Sequence, residues 1–451
     1  MPVTELLAAH IATSQTRALP AAVMDKAAVH VLDTVAAMVS GTRLPAGERA
    51  LAWIRLNAGR GDAVVVGCRD RAPVAMAALA NGVMAHADET DDSHAASLTH
   101  PGCAVVPAAL AVADWVDASG ADFLRAVTVG YDVGPRVARA LGGERFFDQH
   151  HSSHSVGGLF GAIAAAASLL RFDAAQCAAM LAYGVQQASG NACWRRDPDH
   201  IEKAFDFGGM PAHHAVLAAT LVQAGFTGSG QPLEGVPGLF AAHPATADAA
   251  LAVEGLGERH EILGTAIKKW CVGSPIQSAL DATLHLMTQA GLQAGDVERI
   301  LVSLPRQSAP VVDRRAMPAV NLQFQLALLL TDRRLTFESG HDAARMRDPA
   351  VHALSERIQL DPRPEQAFID NSRQAIVQAF LRDGRVLRHH TLHVRGTPAD
   401  PMTLQEVQEK ALDLMQPVLG PARAQPLIRQ LGSLPQTASV RSLHPLLHPD
   451  D

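Results

Sequence analysis

Apolar residues recur every three or four positions through most of the first half of the chain, which is the period of an amphipathic helix. Val23, Ala27 and Val31 share one face of such a stretch, and Gly41 follows it where a C-terminal cap is expected. A short apolar run at residues 63–67 is compatible with a small strand. The pattern predicts helices at residues 3–14, 21–40, 47–57, 71–84, 105–118, 120–140 and 173–188, and one that begins near residue 212.

The pattern changes near Ile262. Beyond it, short apolar runs predict strands with helices between them: strands at 299–304, 377–381 and 391–394, and helices at 276–290 and 320–330. Amphipathic helix returns near the C-terminus, at 404–419 and 422–431. We therefore predict a mainly α protein, with a large all-helical domain formed by both chain ends (residues 1–264 and 401–451) and a smaller α+β domain (residues 265–400).

Composition argues against several partners. The chain has 451 residues, 48% of them apolar and 18% charged, and its formal net charge of −7 disfavours nucleic acid, since phosphate binding needs a basic face. Its five cysteines show no CxxC spacing, so we expect neither a disulfide framework nor a zinc site. No secretory signal is predicted, and the apolar run at 159–170 is too short to span a membrane. We expect a cytoplasmic protein without membrane association.

Acids and histidines crowd one stretch, residues 81–110. His86, Glu89, Asp91 and Asp92 stand close together, and His100 precedes a Pro-Gly pair that should end one element and open a helix. One interpretation is a solvated loop whose Asp and Ser side chains cap a helix. The other is a cleft lining in which the acids hold and tune His100, since burying such residues without partners is unfavourable.

Two further polar segments carry candidate chemistry. Residues 146–155 contain His150, His151 and His154, which by spacing could also offer a metal two rings one helical turn apart. Lys203 precedes a Gly-Gly and Pro segment that leads into a helix, and helix N-termini attract carboxylates. A solvated lysine is the plain alternative for Lys203, and a solvated pair at a domain junction for Lys268 and its neighbour.

The motifs of several enzyme classes are missing from the sequence. We find no P-loop, no GxGxxG after a strand and no GxSxG, which disfavours nucleotide binding and serine hydrolysis. Imidazoles beside acids and lysines suit proton transfer at a carbon next to a carboxylate. His100 is the candidate acid or base with Asp91 to orient it, and Lys203 and Lys268 are the candidate cations, converging on one anionic pocket.

These segments resemble the MmgE/PrpD family, which includes 2-methylcitrate dehydratases, cis-aconitate decarboxylases and iminodisuccinate epimerases. The resemblance covers Asn81-Gly82, Ala85-His86, Glu89, Asp91-Asp92-Ser93 and His100-Pro101, together with residues 32–41, 154–170, 203–228 and 233–235. It implies a large helical domain built from both chain ends, a small α+β lid domain and a homodimer. It also implies dehydration, decarboxylation or epimerisation of small di- and tricarboxylates without cofactor or metal.

Site roles are carried over from the family by position. They comprise catalytic His100, Asp91, Glu89 and either His151 or His154, and substrate-binding Ser93, Lys203, Lys268 and Gln277. Three positions depart from the decarboxylase-like pattern: Glu89 replaces an aspartate, Gln277 a histidine, and Phe324 a tyrosine. An amide can hydrogen-bond a carboxylate but transfers no proton at neutral pH.

The function predicted is therefore a cofactor-independent lyase or isomerase of the MmgE/PrpD type, a dehydratase or decarboxylase that abstracts a proton next to a carboxylate. An epimerase of an iminodisuccinate-like dicarboxylate is one alternative, because the departures remove titratable groups. A non-catalytic polycarboxylate-binding protein is another. The partners expected are a small anionic carboxylate and a second copy of the chain.

Overall fold

The structure is a computed structural model that describes residues 1–57, 59–364 and 373–449. Helices predominate and a small mixed sheet accompanies them, so the predicted mainly α class is confirmed. The chain forms two compact units. The first consists of Met1–Ala87, Asp91–Ala266 and Val407–Asp451, and the second of Asp88–Thr90 and Ile267–Glu406. In the described part of the chain, no helix is long and apolar enough to cross a membrane.

The first unit is built from helices and one short strand pair. Its helices are α1 (Val3–Ala12), α2 (Ala21–Gly41), α3 (Pro45–Leu56), α4 (Val74–Ala85), α5 (Gly102–Val116), α6 (Gly120–Ala140), α7 (Glu144–Asp148), α8 (Ser153–Leu169), α9 (Ala174–Gln187), α10 (Ile201–Ala204) and α11 (Met210–Gln223), joined by α17 (Leu404–Leu419) and α18 (Pro421–Gly432) from the C-terminus. Strands β1 (Ala63–Val64) and β2 (Arg71–Ala72) pair antiparallel. The unit is thus not all-helical, and α4 begins at Val74 because Arg71 and Ala72 are taken up by this pair.

Close helix packing in the first unit depends on glycine. A Cβ on Gly134 of α6 would lie 2.3 Å from the carbonyl oxygen of Gly157 on α8, so any side chain there would force the helices apart. A Cβ on Gly208 would lie 2.1 Å from the carbonyl oxygen of Gly82 on α4. These approaches hold α6 against α8, and α4 against the segment before α11. That segment is a π-helical turn over Phe205–Gly209. Such turns are frequent at functional sites.

The second unit is a four-stranded sheet packed with helices. Its strands are β3 (Val297–Pro305), β4 (Ile358–Arg363), β5 (Ala375–Leu381) and β6 (Val386–Thr391), in the order β4-β3-β5-β6, and its helices are α12 (Ser274–Gln289), α13 (Ala309–Val312), α14 (Leu322–Asp332), α15 (Phe337–His341) and α16 (Pro349–Ser355). The β3–β4 pair is parallel and the other two pairs are antiparallel.

Two strands of this sheet differ from the prediction. Strand β4 was not predicted, and β6 ends where residues 391–394 had been expected to begin a strand. Both lie at the edges of the sheet, where alternating polar side chains hide the apolar signal. The core of the unit is formed between the sheet and α12 and α14, and it includes Phe324.

Candidate active site

An aspartate that bridges two imidazoles lies at the centre of the polar loop after α4. One carboxylate oxygen of Asp91 is 2.9 Å from Nδ1 of His86, and both of its oxygens are 3.1 Å from Nδ1 of His100. Asp91 and His86 are fully buried, and His100 is 7% exposed. An aspartate that accepts from both Nδ1–H groups fixes each ring in the tautomer whose Nε2 carries the lone pair. Asp91 thus contacts His100, and its predicted role in orienting that ring stays a prediction.

Phe207 of the π-helical turn contacts three histidine rings of the site. Its ring stacks on His154 with a centroid distance of 3.9 Å and on His86 at 4.3 Å, and it lies 5.5 Å from His100. The ring centroids of His100 and His154 are 5.2 Å apart. His154 is therefore a neighbour of His100, and it lies in the first turn of α8, after the N-cap Ser152.

The ammonium group of Lys203 also lies beside the Phe207 ring. Its Nζ lies 5.0 Å from the ring centroid of Phe207 and 5.4 Å from that of Trp194, within the range of cation–π attraction. His200 adds a further ring, 5.1 Å from His86. We call the group of His86, His100, His154, Lys203 and Phe207 the Phe207 cluster. It combines imidazoles, a carboxylate partner and a fixed cation, which is what proton transfer beside a carboxylate needs.

His151, the other histidine proposed for this role, lies elsewhere in the first unit. Its ring stacks on Phe146 at 4.6 Å and meets His243 edge-on at 4.8 Å, an arrangement we call the Phe146 cluster. Between the two histidines in sequence, Ser152 donates a hydrogen bond to Asp206 over 2.5 Å. Burial, together with the nearby Glu202, raises the pKa of Asp206 to about 7.

Among the described residues, His150, His151 and His154, the alternative metal ligands that their spacing allowed, do not form a metal-ligating group. The buried His86, Asp91 and Cys103 do bring their ligand atoms within 4.8 Å of one another. Cys103 already donates to the carbonyl oxygen of His100 over 3.1 Å.

The second unit holds the other predicted site residues. The ammonium of Lys268 donates to the backbone carbonyl of Glu89 over 2.8 Å and lies 3.5 Å from its carboxylate. Both side chains are almost fully buried. Lys268 and Glu89 thus form an ion pair within the second unit.

Gln277 and Phe324 both have local structural contacts. The Gln277 side chain donates to the carbonyls of Trp270 and Val272 over 2.7 and 2.9 Å and accepts from the Trp270 backbone over 3.1 Å. It holds the loop before α12. Phe324 is 2% exposed and belongs to the hydrophobic core. The substrate-binding role of Gln277 stays a prediction.

Ser93 lies in the first unit. Its backbone exchanges two hydrogen bonds of 2.9 Å with Ala266, and the residue is buried. Sequence reasoning did not assign roles to Phe207, Trp194 and His200. The segment around Gly208 had been singled out as resembling the family, but no local pattern marks an aromatic ring as the centre of a site.

Two models of one protein family match most of this chain. Models of the MmgE/PrpD N-terminal and C-terminal domains match residues 5–252 and 270–431. The chain is 26% identical to the cis-aconitate decarboxylase of Homo sapiens over 403 residues, which cover 84% of this chain and 81% of that protein.

Further relatives carry the same name. The cis-aconitate decarboxylase of Mus musculus is 25% identical over 431 residues, which cover 90% of this chain and 86% of that protein. The cis-aconitate decarboxylase of Aspergillus terreus is 28% identical over 153 residues, which cover 33% and 31%. The similarity to the mammalian proteins extends across both units.

Proposed function

The chain belongs to the MmgE/PrpD family, and on that premise we propose that it is a lyase that acts on a small di- or tricarboxylate through proton transfer at a carbon next to a carboxylate. The observation that supports this is the Asp91 carboxylate, shared by His86 and His100 beside the Lys203 ammonium. Decarboxylation of a cis-aconitate-like substrate is the reaction to test first, because the relatives over most of the chain are so named.

The reaction needs one group that moves a proton at carbon. In a decarboxylation, the bond between the carboxylate carbon and the neighbouring carbon breaks, CO₂ leaves, and the electron pair spreads toward a remaining carboxylate. His100 as imidazolium then delivers a proton to carbon. In a dehydration, His100 as imidazole removes the proton instead, and hydroxide leaves with a proton from His154 as water. Asp91 stabilises the imidazolium in both cases.

The reaction also needs fixed positive charge, since a carbanion beside a carboxylate is a dianion. Lys203 supplies it in the Phe207 cluster, where its ammonium lies over the aromatic faces of Phe207 and Trp194. The carboxylate-clamp role of Lys268 stays a prediction. Glu89, Ser93 and Gln277 keep theirs as site residues to be tested.

We propose further that the reaction uses neither metal nor cofactor, because the Phe207 cluster already contains a proton carrier and a cation. Elemental analysis of active protein should find no stoichiometric metal, and chelators should leave turnover intact. Loss of activity on chelation, restored by Zn²⁺, would contradict this and point to His86, Asp91 and Cys103 as ligands.

The experiment that tests the lyase is a panel of polycarboxylates, including cis-aconitate and 2-methylcitrate, incubated in deuterated water. We expect release of CO₂ or water and deuterium at one carbon of the product. Tight binding of these ligands without turnover would favour a non-catalytic binding protein instead.

Epimerisation is the second candidate, favoured by the two positions that lack a titratable group. Gln277 is engaged with its own loop, and Phe324 has no hydroxyl and is buried in the core. An epimerase would exchange the α-proton of an iminodisuccinate-like dicarboxylate without net loss of water or CO₂. The same incubation distinguishes the two, since exchange without elimination supports the epimerase.

The family resemblance also leads us to propose a homodimer as the working assembly. Light scattering during size-exclusion chromatography should give twice the mass of the 47.6 kDa chain. A mass of one chain at micromolar concentration would refute this.

A further inference from the structure

A second carboxylate, next in sequence to the one that holds His100, collects three hydrogen bonds of its own. Asp92 accepts from Nδ1 of His30 over 2.7 Å, from the hydroxyl of Tyr131 over 2.5 Å and from the backbone N–H of Gly102 over 3.0 Å. Asp92, His30 and Tyr131 are fully buried. Two of these residues lie on helices, His30 on α2 and Tyr131 on α6.

Gly102 connects this network to the candidate base. It is the first residue of α5 and follows His100 by two positions. A Cβ on Gly102 would lie 2.7 Å from both the Tyr131 hydroxyl and the Thr34 hydroxyl, and 3.0 Å from Asp92. The network therefore lies directly against the backbone of the turn that carries His100. Only glycine leaves room for it.

We propose that Asp92, with His30 and Tyr131, forms the positioning device for His100. Asp91 holds the His100 ring, while Asp92 holds the backbone just beyond it, so two adjacent carboxylates fix one imidazole from both sides. The expected change in kcat rests on the proposed function, whereas the positioning of the His100 ring does not depend on it. Nothing in the local sequence pattern suggests it, since His30 and Tyr131 are far from His100 along the chain.

The charges around the network agree with this role. Burial alone would raise the pKa of Asp92, but the hydrogen bonds from His30 and Tyr131 outweigh burial and hold it below its usual range. Burial lowers the pKa of His30, although the hydrogen bond to Asp92 opposes this shift. Burial and the nearby Asp92 raise the pKa of Tyr131 well above its ordinary value, which keeps its hydroxyl protonated.

Other charged side chains also face this network. Asp91 lies beside Asp92, and an ion pair of 2.6 Å joins Asp33 of α2 to Lys410 of α17. Lys26 of α2 faces both Asp92 and Asp33. Substitutions in the network are therefore compared at several pH values, because these groups share its electrostatic field.

Tyr131→Phe is the most conservative test, because it removes only the hydroxyl. The chain has two tyrosines, and Tyr183→Phe is a matched control, since that hydroxyl donates to the backbone carbonyl of Thr227 over 2.9 Å. Asp92→Asn is the stronger variant. His100 ring signals in ¹⁵N–¹H spectra, assigned by their loss in His100→Gln, report its position without any substrate.

We expect Tyr131→Phe to shift the His100 signals and to reduce kcat about tenfold with little change in KM, because a displaced proton carrier affects the chemical step more than binding. The kcat–pH profile should move as well. In Asp92→Asn the loss of a negative charge should shift the His100 titration to lower pH. Tyr183→Phe should leave all of these unchanged.

Unchanged His100 signals and an unchanged pH profile in folded Tyr131→Phe would overturn the proposal, and this variant decides the matter even if Asp92→Asn does not fold. Shifted His100 signals in a protein that turns over no carboxylate would instead refute the proposed function and leave the positioning intact.

Discussion

Two clusters in the first unit place histidine rings on a phenylalanine, and they differ in what surrounds the rings. In the Phe207 cluster, His86 and His100 share the Asp91 carboxylate, and Lys203 lies over the aromatic face. In the Phe146 cluster, His151 packs against Phe146 and His243. Burial and the nearby His151 lower the pKa of His243, so that ring tends to stay neutral.

The difference shows that stacked imidazoles alone do not make a proton-transfer site. A ring that must alternate between charged and neutral forms needs a carboxylate to stabilise its cation. Asp91 does this for His100. His154 is favoured over His151 as the histidine that acts with His100, because its ring centroid lies 5.2 Å from that of His100, whereas His151 packs against Phe146 and His243.

Between the two clusters, the largest difference should come from substituting His154 and His151 in turn. We expect His154→Ala to reduce kcat about 100-fold, the lower range for losing a general acid or base, while His151→Ala leaves turnover unchanged. Steady-state kinetics of both variants on the same substrate measure this. The reverse order would show that the Phe146 cluster is the site.

A smaller effect should follow from removing the cation. Lys203→Met should reduce kcat/KM roughly 10- to 100-fold, the value of one charge-assisted hydrogen bond to a substrate carboxylate. Lys269→Met is the matched control, because Lys269 also lies over an aromatic ring, 4.7 Å from Trp270, and is 3.8 Å from Asp281. Equal losses in the two variants would argue for general electrostatics instead of a clamp.

The smallest effect concerns the hydrogen bond that Ser152, which lies between His151 and His154 in sequence, donates to Asp206. Because the pKa of Asp206 is raised from 3.8 to about 7, the folded protein keeps a proton that the unfolded chain loses. Its contribution to stability is present below the unfolded pKa and is lost as pH rises toward 7 and above.

Asp206→Asn removes that pH dependence, since an amide cannot ionise. The Tm of the variant minus the Tm of the unaltered protein should be larger at pH 8 than at pH 5, by on the order of 2 °C. Calorimetry at both pH values measures it. A Tm difference that is the same at pH 5 and pH 8 would mean that Asp206 does not carry this proton.

Much of the helical fold could be predicted from periodicity. The helices α2 and α9 lie where the pattern predicted helices at 21–40 and 173–188, and Asp173 caps α9 through a capping box with Gln176. In the sheet, the predicted strands β3 and β5 are the central ones, which are apolar because they are covered. The edge strand β4 has Asp361 and Arg363 among its residues, and such a strand carries little apolar signal.

The sequence named candidate residues of the site, but it did not predict how they are arranged in space. His100, Asp91 and Lys203 stand in polar segments that are unusual between apolar runs, which is a local signal. Phe207 and the network of Asp92 depend on which helices approach one another, through glycines such as Gly82 and Gly208. That information is non-local, and periodicity does not contain it.

Proton transfer by His100 is tested most sharply by the turnover of cis-aconitate in His100→Gln, compared with the unaltered protein at equal helix content by circular dichroism. If His100, held by Asp91, moves the proton, kcat should fall by about 1,000-fold or more. A variant that retains a tenth of the normal turnover or more (a loss of about 1.4 kcal/mol in barrier or less) would contradict the central claim.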